Sequence, residues 1–257
     1  MKKLMLGVLL LCGCPKAATD APTPASWVSE AKKALAERER RLTSFKLVID
    51  STEGENRAHH EVAFRAPNKS RAHLTAPQDF ELAFDGSTLV RMFAAEQKYE
   101  VVPLELPVAD RAFTLASQFL PFVPEGYRAP LLPLSGVEGK KLTRADGSEA
   151  VELTVRPASG IIVRYLLRLP AGDFLEKRTT ADGQDRVLSV EKEQCDVKLA
   201  LCVPTKLVER MGNEVLGTTE VTSALLNPQV PQDWFAPKMP AGWPSPQPSP
   251  PRGEGDK

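Results

Sequence analysis

The chain's four cysteines and three histidines are its candidates for metal binding, nucleophilic attack or cross-linking. Cys195 and Cys202 stand with six residues between them. In an exported chain such a spacing reads as one local disulfide across a turn around Lys198; a reduced pair on one strand is the alternative. Two cysteines with no histidine nearby do not make a zinc site. His59-His60-Glu61 is the only histidine cluster. Neighbours on a strand point to opposite faces, so these two rings make a poor metal pair and read better as a surface pair beside a turn. No G-x-S-x-G elbow, H-E-x-x-H pair, phosphate-binding Walker loop or G-x-G-x-x-G occurs. The expectation is a non-enzymatic chain with no catalytic residues, cofactor or metal.

Cys14 has a different chemistry. Met1-Lys2-Lys3 is a short basic start, and Leu4 to Leu11 is an apolar run. That run matches a signal-peptide core rather than the roughly 20 residues needed to span a bilayer. Leu11-Cys12-Gly13-Cys14 then resembles the bacterial lipobox, with a Leu three positions before and a small residue just before the modified Cys. Cys12 fits that position poorly because Leu11 precedes it. Cleavage after Gly13 frees an amino terminus on Cys14, whose thiol takes a diacylglycerol, and two or three acyl chains anchor stably where one is marginal. A plain secretory signal is the alternative. Pro15 follows Cys14, so the acidic residue that retains lipoproteins at the inner membrane is missing. This favours the outer membrane, with the chain facing the periplasm.

The chain divides accordingly: 1–13 as signal peptide, 14–26 as an Ala/Pro/Thr-rich tether, 27–243 as the folded domain, and 244–257 as a Pro-rich, disordered tail. Hydrophobic residues make up 42% of the chain, enough for a core. Lys+Arg and Asp+Glu are both 33, which leaves no electrostatic footprint for nucleic acid. Trp27–Leu42 has helical apolar spacing with Ser26 as N-cap, and its run Glu37–Arg41 reads as a solvated face. From Phe45 the period becomes two. Short alternating runs, with Asp-Gly turns at 85–86, 146–147 and 182–183, predict twelve or thirteen antiparallel strands with two or three helices. One of the helices would cover 109–122, and the late strands would include 185–193 and 204–211.

The stretch Phe64 to Val102 resembles the carrier proteins of the bacterial lipoprotein-localisation pathway. The matching residues are Arg65, Pro67, Pro77, Phe80, Leu82, Asp85, Gly86 and Leu89. Asp233-Trp234-Phe235 followed by Pro237, Pro240 and Gly242 is similar to the family's closing segment. The resemblance runs loosely over 27–243. It implies a mainly β fold: an incomplete, curved antiparallel β-barrel capped by helices. It also implies a greasy concave face, for which Phe45, Leu47, Val62, Phe64, Leu82 and Phe84 are the candidates; the alternative is that they simply fill a core. The soluble carrier holds its helical lid with an Arg immediately before the Pro, where this chain has Ala66. The implied function is a lipid-anchored envelope lipoprotein that binds acyl chains or acylated proteins, with a regulatory or sensing lipoprotein acting through protein contacts as the alternative. The implied partners are the membrane, through the anchor, and acyl chains or acylated proteins, with no nucleic acid.

Overall fold

The computed structural model describes residues 24–103, 119–129, 136–236 and 241–243. One helix, α1 (Pro24–Arg41), precedes a single sheet. Its strands are β1 (Ser44–Glu53), β2 (Asn56–Arg65), β3 (Lys69–Ala76), β4 (Phe80–Phe84), β5 (Thr88–Phe93) and β6 (Lys98–Pro103), then β7 (Glu138–Thr143), β8 (Glu149–Ala158), β9 (Ile161–Arg168), β10 (Asp173–Ala181), β11 (Gln184–Asp196), β12 (Leu201–Met211) and β13 (Glu214–Leu226). The order across the sheet is β6-β5-β4-β3-β2-β1-β13-β12-β11-β10-β9-β8-β7. Among the described strands all ladders are antiparallel, and only β1–β13 joins strands distant in sequence. The sheet curves but does not close, because β6 and β7 lie at its two ends. It is the incomplete barrel that the family resemblance implies, with a single α-helix among the described residues.

Alternation sets the two faces. Phe45, Leu47 and Ile49 of β1 lie opposite Phe64, Val62 and His60 of β2. The row continues through Ser70, Ala72 and Leu74 of β3 to Phe84, Leu82 and Phe80 of β4. This concave row forms the centre of one buried cluster. Each fully buried Phe or Leu in it contributes about 1.5–3 kcal/mol. On the convex side, the turn Gln232–Phe235 closes over the sheet: Lys46 Nζ lies 4.2 Å from the Trp234 ring centroid and Phe235 is fully buried.

The helix begins at Pro24 rather than at Trp27. Proline suits a first turn, where its missing N–H has no partner to lose. Ala31, Ala34 and Leu35 pack with Val151, Leu153 and Leu167 in a second cluster. The small alanines allow close approach: at Gly172 (φ +71°) a Cβ would stand 3.2 Å from the backbone of Ala34.

Two further expectations need correction. β11 runs on to Asp196 and β12 starts at Leu201, so Pro204 lies inside a strand. A proline within an alternating run argues against a strand, but here a bulge at Lys192/Glu193 accommodates it. The run Glu37–Arg41 is not a solvated face, because Arg38 is buried. Of the helix expected over 109–122, only residues 119–122 are described, and Leu120–Phe122 form one 3-10 turn. Cys14 and the segments read above as signal peptide, most of the tether and tail lie outside the described residues.

Candidate binding site on the concave face

The six apolar residues expected to line a cavity converge on one buried cluster: Phe45, Leu47, Val62, Phe64, Leu82 and Phe84 are all 5% exposed or less. What covers them is a connector, residues 119–129, rather than a second sheet. Phe119, Val123 and Tyr127 are buried in the same cluster. Tyr127 meets Phe45 edge-on at 5.6 Å, Phe122 stacks on Phe80 at 6.1 Å, and the Tyr127 hydroxyl donates to the Pro204 carbonyl at 2.8 Å. Burial pushes the Tyr127 phenol well above its ordinary pKa, so it remains a donor.

The connector is held by charged residues of α1. Arg38 is 2% exposed; its guanidinium donates to the Gly126 carbonyl at 2.5 and 3.2 Å, to the Cys202 carbonyl at 2.7 Å and to Asp173 Oδ1 at 2.6 Å. Asp173 also accepts the Cys202 N–H at 2.9 Å, and Arg168 approaches it at 3.7 Å. Burial pulls the Arg38 pKa down, and Asp173 works against that. Next along the helix, Glu39 accepts the Ala129 N–H at 2.7 Å and pairs with Arg128 at 2.9 Å. Arg128 in turn lies 4.0 Å over the Phe64 ring. Arg41 donates to the Leu199 and Ala200 carbonyls. From the sheet, Lys177 binds Glu125 at 2.8 Å; burial opposes its charge, but Glu125 holds its pKa above the ordinary lysine value. Gly126 is required in this arrangement: at φ +92° a Cβ would stand 2.8 Å from Pro204.

Cys195 and Cys202 face each other across β11 and β12 and are bonded, S–S 2.02 Å. Glu193 lies beside them, but sulfurs bonded to each other are not thiolate ligands, so the trio is no metal site. The histidines part as alternation requires. His59 pairs with Asp50 at 2.6 Å on the convex side. His60 departs from the surface expectation: it is 8% exposed on the concave side, and its Nδ1 has no hydrogen-bond partner. Arg65 binds the Val230 carbonyl at 3.0 Å, on the C-terminal segment rather than on the connector.

Beyond His60 and Ile49 the concave row becomes polar and open. Ser51 pairs with Ala58 on one side and Thr219 on the other; Glu53 pairs with Gly217; Leu207 and Glu209 follow on β12. These residues, with Leu188 and Arg186 of β11, line a cleft of about 290 Å³. Arg186 forms two bonds to Glu209, at 2.5 and 2.8 Å, and a longer one to Glu53 at 3.5 Å. Neither the Arg38 clamp nor this charged mouth follows from a motif. The available signal for Arg38 was its place on the same helical stripe as Ala31, Ala34 and Leu35.

No protein-family model matches the sequence, and no curated protein matches it. Solved structures do. An outer membrane lipoprotein-sorting protein domain from Vibrio parahaemolyticus superposes with a TM-score of 0.55 at 9% identity, over 83% of this chain and 97% of its own. A DUF1329 family protein from Desulfovibrio piger gives 0.51 at 10% identity, over 81% and 97%. A LolA superfamily protein from Nitrosomonas europaea gives 0.48 at 13% identity, over 80% and 97%. The first two likenesses show that the chain shares the fold of the lipoprotein-sorting domain. No described helix is long and apolar enough to cross a membrane.

Proposed function

We propose that this is a non-enzymatic envelope lipoprotein, anchored through Cys14, that takes acyl chains, free or carried by proteins, on its concave face. Its place would be at the outer membrane, facing the periplasm, in lipid or lipoprotein trafficking. One observation carries the reading: the apolar concave row is covered by a short connector pinned at a few polar points, and it runs directly into an open cleft. A half-barrel built only for stability has no need of an open cleft beside its core. Phe45, Leu47, Val62, Phe64, Leu82 and Phe84 would become chain-lining residues when the connector moves aside, while Leu188 and Leu207 would meet the chain at the mouth.

The test is native mass spectrometry of the full chain carrying Cys14→Ser, purified from a Gram-negative host, together with titration of a fluorescent fatty acid. Acyl lipid co-purifying at one equivalent and displaced by the fatty acid is the expected result. A chain that is free of lipid and does not bind the probe would overturn the proposal.

A further inference from the structure

The cleft at the open end of the sheet has chemistry that an acyl chain does not use. Its floor is Leu188 and Leu207, but its lining also holds two arginines, Arg57 and Arg186, and two carboxylates, with Arg186 set between Glu53 and Glu209. The two pairs are unequal. Arg186 and Glu209 meet through two short bonds, and the Glu209 side chain is 28% exposed. Glu53 reaches Arg186 only at 3.5 Å with its side chain 77% exposed. An exposed single contact of that length is screened by water and holds the two groups weakly. It can open without disturbing the sheet. Gly217 pairs with both Glu53 and Glu209, so the strand position between the carboxylates carries no side chain. No Cβ fits there, because it would stand 2.7 Å from the Thr52 carbonyl oxygen.

We propose that this cleft is a headgroup site for a zwitterion in which an alkylammonium is joined to a phosphodiester. The inference rests on the acyl-chain reading above and names the class of lipid. The phosphate takes the guanidinium edge of Arg186 that Glu53 now approaches. The ammonium lies over Gly217 and pairs with Glu53 and Glu209. Arg186 offers the planar donor fork suited to phosphate oxygens. Arg57 and Arg186 against Glu53 and Glu209 leave the cleft without net charge, which suits a headgroup that is itself neutral overall better than an anionic one that lacks an amine. The acyl chains then run over Leu207 toward Ile49 and Val221, the next residues of the same rows.

The full chain carrying Cys14→Ser is titrated in native mass spectrometry with three probes: a short-chain phosphatidylethanolamine, a phosphatidylglycerol with the same acyl chains, and O-phosphoethanolamine. The ethanolamine lipid should be retained about tenfold better than the glycerol lipid, the effect of one good charge-assisted contact. Glu53→Gln with Glu209→Gln should bring the two lipids to parity, and Arg186→Leu should weaken both, with unchanged secondary structure checked by circular dichroism. Equal retention of the two lipids by the parent chain would overturn the headgroup site and leave the acyl-chain reading standing. Retention of neither lipid would overturn both. O-phosphoethanolamine binding as tightly as its lipid would keep the zwitterion site but overturn its lipid source.

Discussion

Arg38 of α1 and Asp173 at the start of β10 form a 2.6 Å ion pair with side chains 2% and 5% exposed. Between them they also bind the backbone of Gly126 in the connector and of Cys202 in the disulfide hairpin. Removing one partner leaves the other charged and buried, which costs about 3–5 kcal/mol. Arg38→Ala should therefore lower the urea midpoint strongly. Arg38→Met combined with Asp173→Asn should lose clearly less than the sum of the two single changes, and simple additivity would show that the pair does not act as a unit.

His60 gives the fold a pH dependence of definite sign. Burial lowers its pKa below the ordinary 6.5, and a hydrogen bond to the Phe122 backbone only partly opposes this. The folded state then binds fewer protons than the unfolded one. Its contribution is complete above the unfolded value and is lost as pH falls toward the folded one. Melting curves of parent and His60→Leu should diverge between about pH 7.5 and 5.5, with only the parent losing this increment of stability on acidification. Parallel curves would mean that His60 titrates as it does in the unfolded chain.

The disulfide should be worth about 2 kcal/mol in the chain-entropy account, because its loop is short. Cys202 also lends both backbone groups to the Arg38–Asp173 pair. Cys195→Ser with Cys202→Ser should therefore couple to Arg38→Met by more than about 0.5 kcal/mol in a double-mutant cycle. Two free thiols in unreduced, periplasmically expressed protein would contradict the bond itself.

Two leucines on the same face should respond differently to a carboxylate. Leu82 is 3% exposed within the connector-covered cluster. Leu82→Glu buries a charge without a partner and should cost several kcal/mol or abolish folding. Leu188 lines the open cleft, where a carboxylate stays hydrated. Leu188→Glu should fold and melt near the parent temperature while losing the fluorescent fatty acid. An unfolded Leu188→Glu would make that floor part of the core.

Cys14→Ser should leave an uncleaved precursor that incorporates no labelled palmitate, and persistent acylation in that variant would move the anchor elsewhere.

The sheet was legible because its signals are local. Phe45-Lys46-Leu47-Val48-Ile49 declares its buried face by alternation, and Asp146-Gly147 and Asp182-Gly183 declare their turns. The clamp was not, because the helical stripe that Arg38 shares with Ala31, Ala34 and Leu35 gives its face but not its partners. Its burial depends on Gly126, Asp173 and Cys202, which only the folded chain brings to it. His60 was misread for a related reason: alternation gave its face, but a turn nearby suggested water where Phe122 now stands. The charged mouth was invisible because Glu53 on β1 reaches Arg186 and Glu209 on the β11–β12 hairpin only through β13.

That strand order also shapes how the chain reaches its fold. Among the described strands every ladder but one joins neighbours in sequence, so β1–β6 and β7–β13 can each zip hairpin by hairpin with little loop closure. The exception sets Phe45 against Leu226. It brings together the first and last strands, and it is the step that must wait for nearly the whole chain. Folding of this molecule is thus a docking problem between two meanders, with the slow, non-local event concentrated in a single seam. Until β1 and β13 meet, each meander exposes a central edge and half of a greasy face, the interval in which the nascent chain is most open to aggregation.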